Sequence, residues 1–239
     1  MITHDATTNQ ASNTGVSSLT FSHTVGGGAD LLLVGLMTMD LSDHTISSVT
    51  YNSVGMTQKG FVVANGSVYF VGAGVFSLNS PAAGANDVVI TTSEAMQYGI
   101  GGSANSYTYS GGTVSAGVTN KDDNLNTATR PTVSGIGSGA GELSFGAAGD
   151  LGPIGGSTWT PDSGETERAD LNVNDGRLLV SEKFAEDELG WTRDSSPNYS
   201  PWAFVAVKIT EPGGGGRVTK NTRSGPLGVE IGMGWRMPL

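Results

Sequence analysis

SSLTFSHTVGGGADLLLVGLMTM, residues 17–39, reads as two strands of different burial joined by a glycine turn. In the first, Ser18–Val25, the residues Leu19, Phe21, His23 and Val25 share one face and Thr20, Ser22 and Thr24 the other, which is the period-two pattern of a half-buried strand. Gly26-Gly27-Gly28 ends it. The second, Leu31–Met39, is nearly continuously apolar, as a strand covered on both faces is. Its length and the glycines before it favour a strand over a buried helix segment.

Working outward, the same signal recurs at short spacing. It predicts strands over Ile46–Tyr51, Gly60–Val63, Ser67–Val71, Val75–Leu78, Asp87–Thr92, Gln97–Ile100, Ser106–Tyr109, Val114–Val118, Glu142–Ala147, Leu178–Phe184 and Trp202–Thr210. Asn65-Gly66, Asn79-Ser80-Pro81, Ala83-Gly84, Gly111-Gly112 and Ser163-Gly164 supply turn chemistry between them. In PWAFVAVKIT, residues 201–210, Ala203, Val205, Val207 and Ile209 fall on one face and Trp202, Phe204, Ala206 and Lys208 on the other, so with Lys208 at a rim this is a central strand. No stretch carries a 3.6-residue stripe over three turns, and no repeat recurs at a period of roughly 20 to 50 residues. The chain therefore reads as all-β, an antiparallel sandwich or barrel. Residues 1–16 lack periodicity and read as a polar arm, 148–176 as a long loop with at most one strand, and the acidic segment 185–189 as a solvated turn.

Composition agrees. Among 239 residues, 37 are glycine and only 14% are charged, the balance of short strands and tight turns. The net charge of −10 argues against a body that grips nucleic acid, which needs a concentrated positive face. Absence of cysteine removes disulfides, thiolate nucleophiles and cysteine-based metal sites together. The N-terminal residues lack the basic and apolar regions of a secretory signal, and no run reaches the ~18 apolar residues of a membrane span, so the expectation is a soluble product with no membrane partner.

The sequence changes character at Gly213-Gly214-Gly215-Gly216. Beyond this flexible joint, residues 213–239 carry Arg217, Lys220, Arg223 and Arg236 against Glu230, a sum of +3 beside −13 for the rest of the chain. Leu227, Val229, Ile231, Met233, Trp235 and Met237 keep strict period two, and apolar area so arranged needs another surface to lie on. The tail reads as an assembly arm, hinged to a body spanning 17–212.

Three stretches, SSLTFSHTVGGGADLLLVGL at 17–36, SSVTYNSVGMT at 47–57 and PWAFVAVKIT at 201–210, together resemble a Gly/Ser/Thr-rich β-sandwich domain of tailed-bacteriophage structural proteins and bacterial surface proteins. The resemblance spans roughly residues 17–211 and leaves out the tail and the segment around 148–176. It implies a jelly-roll-like scaffold used for capsid decoration, fibre or surface roles. Together with the hinged tail, the expectation is a virion head decoration or cement protein made soluble in the host cytoplasm, a homo-oligomer with a trimer among its forms, and the major capsid protein or other virion subunits as partners. The resemblance carries no catalytic residue and no cofactor. A carbohydrate-binding or host-attachment module is the alternative it leaves open.

Residues able to carry chemistry are few. His23 reads as a core histidine bonded to a backbone carbonyl, or as a ligand, and either His23 or His44 could serve as base to a serine nucleophile, although no GxSxG fixes a triad. Asp40, Asp43 and His44 could hold a divalent cation or form a polar turn. In DLNVNDGR, residues 170–177, Asp170, Asn172 and Asn174 begin a calcium-loop pattern, but Gly176 comes one position late and Ser181 stands where the closing acid belongs, so an EF-hand is rejected and a turn over Asn174-Asp175-Gly176 preferred. Glu165 with Glu167, or Glu186 with Glu188, are the carboxylate pairs open to glycoside chemistry, with exposed turns as the plainer reading. Trp159, Trp191 and Tyr199 are a candidate glycan platform, or else the cover of a sandwich end. The expectation is a protein without enzymatic activity, metal or cofactor.

Overall fold

Every residue of Leu31–Asp40 is buried, because this strand lies in an inner layer of a stack of four sheets. A computed structural model describes residues 1–66, 68–123, 130–151, 158–193 and 201–212. Among them are eighteen strands and no helix, hence no helix able to cross a membrane. In chain order these are β1 (Thr3–Ser12), β2 (Val16–Val25), β3 (Leu31–Asp40), β4 (Ile46–Tyr51), β5 (Val54–Gly55), β6 (Thr57–Asn65), β7 (Phe70–Asn79), β8 (Gly84–Met96) and β9 (Gly99–Thr108). They continue as β10 (Thr113–Val114), β11 (Val118–Asp122), β12 (Thr132–Ser134), β13 (Leu143–Asp150), β14 (Trp159–Pro161), β15 (Thr166–Val173), β16 (Gly176–Phe184), β17 (Glu188–Arg193) and β18 (Trp202–Thr210).

All pairings are antiparallel. Sheet I has the order β2-β8-β4-β5 and sheet II the order β1-β9-β3-β7-β6. Sheet III runs β18-β13-β16-β15 with both β10 and β11 on the outer side of β18, and sheet IV runs β12-β17-β14. Three apolar cores separate the layers. Phe21, Val49, Tyr51, Val88 and Ile90 of sheet I meet Leu32, Val34, Leu36 and Ile100 of sheet II. Leu31, Leu33, Met37, Val71 and Tyr107 on the other face of sheet II meet Phe145, Ala147, Val180, Val205 and Val207 of sheet III. Leu179, Trp202, Phe204 and Ala206 behind sheet III meet Val133, Leu189 and Trp191 of sheet IV. The two faces predicted for 202–209 are those observed, and Lys208 lies at the rim within 3.6 Å of Glu142.

The four sheets are two copies of one design. Residues 3–108 are shared between sheets I and II in jelly-roll order, and residues 113–210 repeat that order in sheets IV and III, with β10 and β11 as one interrupted first strand and no counterpart of β5 among the described residues. Even the irregularities recur. On β6 the ladder with β7 slips between Gln58 and Gly60, leaving Lys59 as an extra residue; on β15 it slips between Glu167 and Ala169, leaving Arg168. On β1 the pairs Thr3↔Thr108 and His4↔Tyr107 give way to Ala6↔Ser106 after one extra residue. The pairs Thr113↔Thr210 and Val114↔Ile209 likewise give way, after a slip of one residue, to Val118↔Ala206. The halves meet reciprocally, as a two-fold relation requires. The carbonyl of Lys59 accepts from Gly117 N at 2.7 Å, and that of Arg168 from Asn9 Nδ2 at 3.1 Å.

Several expectations need correction. The polar arm over 1–16 is instead the edge strand β1 across residues 3–12, its alternation hidden by the extra residue Asp5. The loop over 148–176 contains the end of β13, the short β14 and the eight-residue β15. The acidic turn gives way to strand at Glu188. The single sandwich over 17–212 is a pair of sandwiches sharing their middle core.

Sheets II and III approach closely where side chains are missing. A Cβ on Gly35 would stand 2.9 Å from Ala147 Cβ and 3.1 Å from Val180 Cγ2. Gly35→Val therefore forces the two sheets apart and costs about 1–3 kcal/mol. A urea titration of the variant should show a correspondingly lower midpoint, and unchanged stability would contradict this packing.

Candidate functional site

The polar chemistry of the first half gathers at the slip in β1. The extra residue turns the Asp5 carboxylate toward β9 and β2, where Oδ2 accepts from Ser106 Oγ at 2.7 Å and from Gly26 N at 2.8 Å. His23 on β2 is fully buried and reaches Ser106 Oγ through Nε2 at 3.2 Å and Thr8 Oγ1 through Nδ1 at 2.9 Å. Ser106 has one proton and gives it to Asp5, so it accepts from His23 Nε2–H, and His23 Nδ1 accepts from the Thr8 hydroxyl. The result is a one-way chain, Thr8 to His23 to Ser106 to Asp5. The partners of His23 are thus two hydroxyls, not the backbone carbonyl expected.

Protonation states follow from surroundings. Burial pushes the His23 pKa below its ordinary value, partly opposed by Asp5 and assisted by His4. For Asp5 burial acts upward but is outweighed by the Gly26 N–H, the Ser106 hydroxyl and the two imidazoles, so its pKa is lowered. This is not a catalytic triad. The carboxylate binds the serine instead of orienting the imidazole, and Ser106 is wholly buried.

A second group lies on the opposite face of β1 and β9, where the halves meet. Tyr107 Oη donates to Glu182, which is also ion-paired with Arg168, the extra residue of β15. The His4 ring stands edge-on to Tyr107 with centroids 5.5 Å apart, and its Nε2 lies 2.8 Å from Thr7 Oγ1. Thr7 donates onward to Asn105 Oδ1 at 2.7 Å, so His4 Nε2 carries a proton. Burial, then the Arg168 charge, lower the His4 pKa against the upward pull of Glu182 and Asp5. The phenol of Tyr107 is held well above its usual range by burial and by Glu182. Nothing in the sequence pattern singles out Asp5, Tyr107, Arg168 or Glu182, because their meeting depends on a cross-sheet register.

The other sequence candidates do not assemble into sites. His44 Nδ1 donates to Ser42 O at 2.9 Å and Nε2 takes the Thr38 hydroxyl at 2.6 Å, while Asp40 accepts from Ser42 Oγ and Gln97 N and Asp43 is exposed. Asp170 pairs with Arg177 at 2.7 Å, and Asn174-Asp175 is the hairpin turn, with Asn174 at φ 53°. Among the described residues no three His, Asp or Glu side chains are grouped to hold a metal ion. Glu186 pairs with Lys183, and Glu188 with Arg130, which also binds Asp162. Trp159 and Trp191 are only 5% and 0% exposed, packed in the outer core between sheets III and IV. They therefore offer no ring face to a sugar, and the glycan platform is withdrawn for both. Tyr199 and the whole of 213–239, including every residue of the assembly arm, lie outside the described residues.

A scan against protein-family models and searches of curated proteins and solved structures find no match to this chain.

One carboxyl departs strongly from ordinary behaviour. Burial raises Glu165 to about 7 although Ser181 Oγ and Gly190 N donate to it at 2.6 and 2.9 Å. Nearby Asp162 adds to the rise and Lys183 opposes it, while Glu167 is exposed. Because the folded value exceeds the unfolded one, the stability gained from this group is full at acid pH and is lost as pH rises through 7. Glu165→Gln, which stays neutral, should gain melting temperature relative to the parent chain as pH goes from about 5 to 8.5. A difference that stays constant over that range would contradict the assignment.

Proposed function

We propose that the chain is a non-enzymatic virion structural protein that decorates or cements a phage capsid through oligomerisation and docking of its C-terminal arm. The observation that supports this reading is the direction in which the polar groups face. The Asp5–Ser106–His23–Thr8 chain runs inward from an exposed carboxylate and ties strand to strand, and the Arg168–Glu182–Tyr107 group, directed inward, ties half to half. Such groups stiffen a scaffold. Paired jelly rolls whose inner sheets have fully buried central strands suit a load-bearing part, although fold alone does not define function. The arm enters from its sequence: a basic, period-two segment on a four-glycine joint, attached to an acidic body, suits strand addition or groove docking on an acidic neighbour. Many weak tethered contacts then add to firm attachment.

The alternative, a glycan-binding or host-attachment module, has its own supporting observation. The solvent face of sheet I presents Ser18, Thr20, Ser22, Thr24 and Ser48 with Asp87 as the exposed charge among them, a hydroxyl-rich surface. Neutral hydroxyls of this kind adapt to polyhydroxylated partners.

Light scattering after size exclusion separates the first reading from its failure. Full-length protein should run as a multiple of 24.4 kDa and the 1–212 truncation as a single chain. Equal masses for the two would contradict docking of the arm between like subunits.

A further inference from the structure

The internal repeat supplies a comparison that neither half offers alone. Strand β1 and the segment 113–122 hold the same place, each on the outer side of the last strand of its half, and each slips by one residue near its start. Their fastenings differ. Where β1 has His4 opposite Tyr107, the second half has Val114 opposite Ile209. At the slip, Ser115 stands where β1 has Asp5, and its hydroxyl accepts from Lys208 N at 2.9 Å. The second fastening holds no histidine and is completed by Lys59 Nζ on Val114 O at 3.0 Å and Lys121 Nζ on Val63 O at 3.1 Å. Neither of these contacts involves an imidazole.

We infer that β1 is an acid-releasable edge strand: charging of His4 and His23 frees residues 3–12 from β9 while the matching segment 113–122 stays paired. This does not depend on the proposed virion role.

The surroundings of each imidazole oppose a second proton. His23 faces Thr8 and Asp5 from β1, Ser106 from β9, Tyr51 from β4 at 6.4 Å between ring centroids, and Asn86 opposite it on β8. Only Asp5 is anionic, and its Oδ2 already accepts from Ser106 Oγ and Gly26 N. A second proton on His23 must displace the Thr8 hydroxyl proton now pointing at Nδ1, and the new charge has no water to reach. His4 faces Tyr107 from β9, Arg168 from β15, Glu182 from β16 and its neighbour Asp5. Glu182 is engaged by both Tyr107 and Arg168, so a charged His4 meets the Arg168 cation with its counter-ion already occupied. His23 regains water when β1 leaves, since Thr8 of β1 covers it, and half-buried His4 is carried out with the strand, away from Arg168.

The sign is fixed by linkage. Each histidine binds a proton less readily in the closed state than in water, so opening takes up protons once pH falls below about 6.5. Each such proton makes the opening constant rise up to about tenfold per pH unit, and both together up to about a hundredfold. An opened β1 leaves the edge of β9, Gly99–Thr108, as an unpaired ladder able to accept a strand from another chain.

Hydrogen exchange on the full-length protein, read by peptide between pH 7 and about 5 and corrected for the intrinsic pH dependence of exchange, tests this directly. Peptides covering 3–12 should lose protection by more than about tenfold over the range, while those covering 113–122 hold theirs. His23→Gln should remove about one decade per pH unit from the slope, and His4→Gln serves as the second variant if the buried substitution impairs folding. Protection of 3–12 that is unchanged by acid, or that falls in step with 113–122, would overturn the inference. So would a slope left intact by both substitutions.

Discussion

The apolar layer between sheets II and III is the constraint on which the other features depend. Both sheets are inner layers, so their central strands must be apolar on two faces, which is why Leu31–Asp40 and Leu143–Asp150 are buried at every position. It also sets how near the backbones come. Gly35 lies over Ala147, and a Cβ on Gly149 would fall 2.9 Å from Gly72 O, so the space normally filled by side chains is taken by the opposing sheet. The outer sheets I and IV can then be half-polar, since each has to cover only one face.

A two-fold arrangement of matching halves explains where polar groups were free to diverge. Equivalent positions of the shared core such as Leu31 and Leu143, or Val75 and Val180, stay apolar in both halves. Positions at the slips do not. The first half fastens its edge with imidazoles, a carboxylate and hydroxyls, and the second with lysines and a serine. Acid acts in opposite directions on the two: it charges histidines held neutral by burial in one half and relieves Glu165, held partly unionised by burial, in the other.

Much of the fold was legible because burial leaves a period in the sequence. Ile46–Tyr51 and Trp202–Thr210 coincide with their predicted limits, and the unbroken apolarity of 31–39 identified a strand covered on both faces. Strands that failed to announce themselves did so for definite reasons. An extra residue at Asp5 breaks the alternation of THDATTNQAS, and Arg168 does the same within TERADLNV. The duplication is hidden because equivalent positions share burial without sharing identity, as with Tyr107 and Ile209 or Ser77 and Glu182. The polar chain through His23 was legible only in part. Its face could be read from Leu19, Phe21 and Val25, but its partners come from strands more than a dozen residues away in either direction.

A shared core makes a strong statement about cooperativity, since neither half can expose its side of that layer without stripping the other. Differential scanning calorimetry of the 1–212 body is the most direct measurement. The account predicts one transition whose calorimetric and van't Hoff enthalpies agree. Two resolved transitions, one for each jelly roll, would contradict the claim that the middle layer unites them.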